Sequence, residues 1–366
     1  MKDQLDGLNI PTFTVEEMVE RLSFLYENAV LRGIRFQKLP TPFLWGAPGV
    51  GKSDGVRQLA QRLEKATGKR VKVTDVRLLL FSPVDLRGVP TPDENRRFTN
   101  WLMPRIFQME EGEAVINVLF LDELSAAPVS VQAAAYQICL DRRIGEHVLP
   151  ENCIVIAAGN RTTDGSVSYK MPKALCNRLM HFQVAVDFEA WRSWAVRRGI
   201  DPKVIAFLRM DPARLCVEPE SSELAYCSPR SWEFVSTLLE TVGDDPGKIR
   251  DLIAACVGVD TALELEAFCK GLLKIPDPEL ILAGKSVELP RGYDVTYALL
   301  SALVARLGAR GKNVTVEELE HVCFYVRRLP KDFALTFFRD IRCLPEMDGK
   351  LMKCHSFQSW LNQNRA

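Results

Sequence analysis

Eight residues, Gly46-Ala47-Pro48-Gly49-Val50-Gly51-Lys52-Ser53, constrain the fold more than any other part of the chain. They follow a short Pro-punctuated apolar run ending in Phe43-Leu44-Trp45. They precede a segment, Ser53 to Thr67, that has helical spacing and is closed by Gly68. A GxxxxGK(S/T) run between a strand and a helix is a phosphate loop, because its glycines let backbone N–H groups turn inward without Cβ clashes. The following helix points the positive end of its dipole at the same anion. Lys52 is expected to reach the β- and γ-phosphates of a nucleotide, and the Ser53 hydroxyl to take a place on Mg²⁺. The whole run, Gly46 to Ser53, is the expected nucleotide cradle.

A second run gives that loop a chemical partner. Val118-Leu119-Phe120-Leu121-Asp122-Glu123 is an apolar strand ending in two carboxylates. A parallel strand lying beside the phosphate-loop strand delivers its C-terminal residues to the same crevice. Asp122 is then expected on Mg²⁺, and Glu123 is placed to orient and polarise an attacking water. Acids also suit helix starts, but downstream of a phosphate loop the metal-and-water reading takes precedence.

The rest of the chain divides into two patterns. Val15 to Leu31 has apolar residues at helical spacing (Val15, Met18, Val19, Leu22, Leu25, Tyr26), with Thr14 as N-cap. Apolar runs at Val71–Val76, Val115–Leu121, Cys153–Ala158 and Phe182–Val186 alternate with helix-like segments such as Ser130 to Leu140. That is the pattern of a parallel α/β sheet buried on both faces. After about Asp187, helical spacing takes over at 189–199, 229–241, 247–257, 261–273, 294–307 and 315–328. Residues 1–187 are therefore expected to form the α/β domain, with helices following.

Composition excludes several classes. The 366 residues carry 47 Lys+Arg and 47 Asp+Glu, so no global basic field advertises nucleic acid. Ten cysteines without a CxxC pair read as free thiols in a chain this long. The four histidines complete no zinc spacing. The first residues lack an apolar signal-peptide core, and no run is long enough to cross a bilayer, so a cytoplasmic protein is expected.

These residues together resemble the AAA+ superfamily, and within it the MoxR-like branch, over roughly residues 40–240. Ile154-Val155-Ile156-Ala157-Ala158-Gly159-Asn160 ends where that family keeps its sensor 1 asparagine, so the resemblance makes Asn160 a γ-phosphate or lytic-water contact. Met171-Pro172-Lys173-Ala174-Leu175-Cys176-Asn177-Arg178-Leu179 is similar to the segment carrying the arginine finger, with Leu179 in place of the usual phenylalanine. That makes Arg178 the finger, with Arg142, Arg143 and Arg161 as competitors. Ser228-Pro229-Arg230 resembles the start of the sensor 2 helix, and Arg230 is implied in cis or in trans. Val84–Gly88 with Phe98–Phe107, and Arg143–Pro150, resemble the branch's inserted loops, which makes Trp101, Met103 and Arg105 candidates for substrate or partner contact.

The resemblance implies an AAA+ domain with a five-stranded parallel sheet, a helical lid over 188–270 and a helical extension over 271–366. It also implies ATP and Mg²⁺ as ligands, hydrolysis at the interfaces of a hexameric homo-oligomer, and remodelling of a protein partner alongside a von Willebrand factor A domain protein. A nucleic-acid motor or loader, or the NTPase subunit of a DNA-targeting defence complex, shares the same site, as does a nucleotide-binding switch. Trp191, Trp194 and Trp232 read as core residues of the helical part.

Overall fold

The computed structural model describes residues 10–161, 171–219, 223–242, 246–271 and 275–364. By its internal contacts the chain forms two compact units, Met1–Val186 and Asp187–Ala366.

The first unit is a parallel sheet covered on both faces. Its elements begin with β1 (Thr12–Phe13), α1 (Val15–Leu31), β2 (Thr41–Trp45), α2 (Lys52–Thr67) and β3 (Arg70–Arg77). A short α3 (Pro83–Arg87) and an antiparallel hairpin, β4 (Val89–Pro92) with β5 (Thr99–Leu102), interrupt the run before β6 (Val115–Asp122). Then come α4 (Val129–Asp141), a small hairpin of β7 (Arg143–Ile144) and β8 (His147–Val148), β9 (Cys153–Gly159), α5 (Lys173–Cys176) and β10 (Leu179–Val184). The strand order is β1-β10-β2-β9-β6-β3, every pairing parallel. The five long strands are joined by β1, a two-residue edge strand too short for any periodicity to announce.

Alternation along the strands explains why both faces are dry. Ile116, Val118 and Phe120 of β6 and Ile154, Ile156 and Ala158 of β9 pack with α1 and α2 residues such as Met18, Leu22, Leu59 and Leu63. Leu119, Leu121, Val155 and Ala157 point the other way, against Val131, Ala135 and Ile138 of α4. Burying a leucine such as Leu59 or Leu63, each fully enclosed, contributes about 1.5–3 kcal/mol. The Thr14 cap of α1 is a reciprocal capping box with Glu17.

One expectation is corrected by the topology. The acidic strand β6 does not lie beside the phosphate-loop strand β2; β9 is inserted between them. The strand β9 ends in Ala157-Ala158-Gly159, followed by Asn160, whose Oδ1 accepts from Lys52 of the phosphate loop.

The second unit is helical, with no strand among its described residues. Its helices are α6 (Phe188–Arg198), α7 (Pro202–Met210), α8 (Pro229–Val242), α9 (Arg250–Val257), α10 (Val259–Gly271), α11 (Pro278–Leu282) and α12 (Tyr293–Arg310), followed by α13 (Val316–Val326), α14 (Lys331–Arg342), α15 (Met347–Leu351) and α16 (His355–Gln363). The expected helical segment 261–273 runs to Gly271, and 272–273 lie outside the described residues. Helices α11 to α16 enclose one apolar cluster containing Leu303, Val322, Phe337 and Phe357. Trp232 is fully buried with its indole N–H on the Arg214 carbonyl, 2.8 Å away, Trp191 is buried, and Trp194 is half-buried. All ten cysteines are free thiols.

Candidate active site

The site is assembled where β2, β6 and β9 end. After Trp45 the chain turns through Gly49 at φ 81° and Gly51 at φ 98°, left-handed conformations that a side chain would strain. Helix α2 starts at Lys52, and no side chain caps its N-terminus, so its first N–H groups face the loop.

Lys52 is buried at 7% exposure, and its Nζ donates to the carbonyls of Gly46 (2.5 Å) and Ala47 (3.0 Å) and to Asn160 Oδ1 (2.9 Å). The phosphate loop and the end of β9 are thus joined through one ammonium. Ser53 Oγ donates to Asp122 Oδ2 at 2.9 Å, and Asp122 Oδ1 accepts from the Glu123 N–H at 2.9 Å. Lys52 with Asn160 and Ser53 with Asp122 are thus two hydrogen-bonded pairs, brought side by side because Lys52 and Ser53 are consecutive at the start of α2. Glu123 follows, half-buried, with its backbone at φ 59°. That conformation is uncommon outside glycine and costs an ordinary residue about 1–2 kcal/mol.

Sequence reasoning missed three residues around this group. Ser125 Oγ accepts from the Asn160 N–H and donates to the Asn160 carbonyl, both at 2.9 Å. A Cβ on Gly159 would sit 2.6 Å from that hydroxyl, so the glycine is what lets Ser125 approach. Asp75 of β3 is the second: burial, and next the Asp122 carboxylate, raise its pKa above the ordinary carboxylate range, while Arg77 and Arg57 pull the other way. The third is His181 of β10, hydrogen-bonded to both Trp45 and the Cys176 carbonyl. A hydroxyl two residues past an acidic pair could have been read from the sequence, but the other two contacts join distant strands.

The donor set suits a small hard cation. Ser53 and Asp122 offer adjacent oxygens, and the described residues contain no group of three or more His, Cys, Asp or Glu that could cage a metal. Mg²⁺ typically takes one or two protein oxygens and completes its shell with phosphate and water.

The arginines separate. Arg142, a competitor for the finger, is a core residue: it is buried, and its guanidinium bonds Thr41 Oγ1 and the carbonyls of Cys139 and Leu39. Arg143 is exposed on the β7–β8 hairpin and Arg161 is half-buried after Asn160. Arg178 is exposed and immediately precedes β10. Because Leu179 pairs with Thr41 at the start of β2, Arg178 stands at the opposite strand end from its own phosphate loop, about 15 Å away along the strand. Arg230 belongs to the second unit, exposed in the first turn of α8; Ser228 caps that helix through the Ser231 N–H at 3.2 Å, and Pro229 fills its first position.

Of the inserted loops, Met103 and Arg105 are exposed and Trp101 is half-buried. Phe98, Leu102 and Ile106 add exposed apolar surface to the β4–β5 region. The two hairpins are tied together by His147 Nε2 and the Trp101 carbonyl, 2.8 Å apart.

Residues 42–181 match the ATPase family associated with various cellular activities (AAA). Over 166 residues the chain is 28% identical to Chaperone MoxR1 of Mycobacterium tuberculosis, a match covering 43% of this chain and 40% of that protein. The chain thus spans less than half the length of this curated relative. Among solved structures, C. elegans PCH-2 is 14% identical, with 71% of this chain and 69% of that one covered at a TM-score of 0.35. A RuvB from Thermotoga maritima is 19% identical, with 84% and 88% covered at 0.34. No helix among the described residues is long and apolar enough to cross a membrane. The matched segment contains the phosphate loop, the acidic strand end and Asn160 on a parallel sheet, so residues 42–181 resemble the AAA family of ATPases, with a weaker likeness to Chaperone MoxR1.

Proposed function

We propose that this chain hydrolyses ATP at the interfaces of a homo-oligomeric ring, with six subunits as the expected number, and uses the cycle to remodel a protein partner. The observation that carries the reading is the placement of Arg178. It is exposed at the strand end opposite the phosphate loop, out of reach of its own nucleotide, which supports a role at another subunit's. A contact of that kind is head-to-tail, and head-to-tail contacts that close make rings.

Within one site the proposed roles are these. The loop Gly46–Ser53 wraps the phosphates, and Lys52 exchanges its carbonyl acceptors for β- and γ-phosphate oxygens. Ser53 and Asp122 would hold Mg²⁺, which when bound would supply charge neutralisation for phosphoryl transfer. Glu123 polarises the attacking water, Asn160 orients it or the γ-phosphate, and Arg178 of the neighbour stabilises the transition state. Arg230, in cis or in trans, is the second candidate phosphate sensor. The exposed Phe98–Ile106 surface, with Trp101, Met103 and Arg105, is the partner contact, and a von Willebrand factor A domain protein is the expected co-worker.

The test measures ATP hydrolysis and particle mass for wild type and Glu123→Gln, with and without duplex DNA at low and high salt. An ATP-stabilised assembly near six subunits, with hydrolysis abolished by the substitution and indifferent to DNA, is expected. A monomer without turnover overturns the reading, and strong salt-sensitive DNA stimulation replaces the protein remodeller with a nucleic-acid motor.

A further inference from the structure

His181 joins the two ends of β2 that the proposed mechanism separates. It lies on β10 opposite Phe43, and Trp45, two residues on, projects from the same face. The Trp45 indole N–H meets His181 Nδ1 at 3.0 Å, and His181 Nε2 meets the Cys176 carbonyl at 2.8 Å. An indole can only donate and a carbonyl can only accept. These partners are matched by the tautomer that carries its proton on Nε2 and a lone pair on Nδ1, and both ring nitrogens are in use.

The two partners are not interchangeable with the rest of the surface. Trp45 is the last residue of β2, directly before Gly46 of the phosphate loop. Cys176 is the last residue of α5, where carbonyls run out of following helical N–H donors. His181 supplies a donor to one of them. Arg178 follows two residues later, its own N–H turned back onto the Leu175 carbonyl at 3.0 Å. The four-residue helix that presents Arg178 is thus fixed by a ring whose other nitrogen is held at the edge of the nucleotide loop.

We propose that His181 is a positioning residue for Arg178, setting the finger segment by reference to the phosphate-loop strand through the chain Trp45 Nε1–His181–Cys176 carbonyl. This rests on the reading of Arg178 as a finger acting in trans. The position of a transition-state contact shows in kcat, not in ground-state binding. A misplacement of about 1 Å lowers rate by up to about 100-fold. His181→Ala is therefore expected to lower kcat by about 10- to 100-fold while the KM for ATP stays within about two-fold. His181→Gln, whose amide offers a donor and an acceptor at comparable spacing, is expected to recover most of the rate. Trp45→Phe keeps an aromatic ring and removes the N–H, and is expected to lower kcat in the same direction by a smaller factor.

Mixed assemblies decide between positioning and mere structure. Glu123→Gln subunits do not hydrolyse but carry an intact Arg178 segment, so mixing them with His181→Ala subunits restores hydrolysis at the latter's sites. The reference is the same mixture made with Arg178→Ala. If that reference mixture fails to recover activity, the trans reading itself is overturned. If it recovers while the His181→Ala mixture does not, the defect lies in the subunit's own site and the proposal is overturned. Unchanged kcat in His181→Ala, or a rise in KM alone, also overturns it. Should His181→Ala not fold, Trp45→Phe takes its place in the mixture with the same outcomes.

Discussion

Ser125 and Asn160 hold each other by two hydrogen bonds, the Ser125 hydroxyl accepting from the Asn160 N–H and donating to its carbonyl, each at 2.9 Å. The pair clamps the loop after the acidic strand onto the end of the neighbouring strand, so the positions of Glu123 and Asn160 are coupled through the backbone. Ser125→Ala removes both bonds and is expected to destabilise the first unit by about 1–3 kcal/mol, and to lower kcat with little change in KM. Gly159→Ala is expected to act in the same direction, because its Cβ would lie 2.6 Å from Ser125 Oγ and 3.1 Å from the Phe43 ring, an overpacking worth about 1–3 kcal/mol. Thermal melts with steady-state hydrolysis check both. A Gly159→Ala protein with wild-type stability and rate would remove the clamp from the argument.

Glu123 is held at φ 59°, and its strain and its chemistry can be separated. Glu123→Gly relieves a left-handed backbone worth about 1 kcal/mol and removes the carboxylate, so stability rises while hydrolysis falls. Glu123→Gln leaves the strain and removes only the charge, so hydrolysis falls by at least about 100-fold with stability unchanged. Paired melting and turnover measurements on the two variants distinguish them. Equal melting temperatures would show that the backbone at Glu123 stores no strain.

The two loops of the site were legible because each is contiguous. Gly46–Ser53 and Val118–Glu123 carry their own flanking strand and helix signals, so residue type and spacing sufficed. What lies between them was not legible. The insertion of β9 between β2 and β6 is set by pairings such as Leu121 with Ala157 and Phe43 with Ala157, which no local pattern encodes. The last strand was expected at Phe182–Val186 but runs Leu179–Val184. His181 looks polar in sequence, yet its ring is spent on Trp45 and Cys176 inside the fold. Arg142 misled for the same reason, since a buried guanidinium saturated by carbonyls looks like a surface arginine until its partners are known. Helices α7 and α14 escaped notice. One begins with a proline and the other follows one, both mix charge with apolar residues, and Arg209 of α7 meets Asp340 of α14 in the core.

Lys52 is enclosed by Gly46 O, Ala47 O and Asn160 Oδ1, all acceptors that phosphate oxygens can replace. Lys52→Ala deletes the charge without touching either strand, and charged hydrogen bonds contribute about 1.5–3 kcal/mol. The expected result is a loss of about 10- to 100-fold in nucleotide affinity, read by titration with a fluorescent ATP analogue. Undiminished affinity would place the nucleotide elsewhere.

In the second unit, Asp340 (2% exposed) is paired with Arg192 (1%) and with Arg209 Nη2 at 2.8 Å. Burial, and next the neighbouring Arg192 charge, pull the Arg209 guanidinium down to about 10, and Arg209 also lies over the Tyr297 ring at 5.3 Å. The three residues come from α14, α6 and α7, and Arg192 also pairs with the half-exposed Glu189 at 2.8 Å. Removing Asp340 strips Arg209 of its close counter-charge and leaves Arg192 with Glu189 alone, which costs about 3–5 kcal/mol, whereas replacing a whole buried ion cluster by apolar residues is often neutral. Asp340→Ala is therefore expected to destabilise the unit by that amount, and the triple variant Arg192→Met, Arg209→Met and Asp340→Leu to recover most of it. Urea unfolding followed by tryptophan emission reads this unit, because Trp191, Trp194, Trp232 and Trp360, four of the six tryptophans, lie in it. If the triple variant is no more stable than Asp340→Ala, the loss arises from packing in α14 and not from stranded charge.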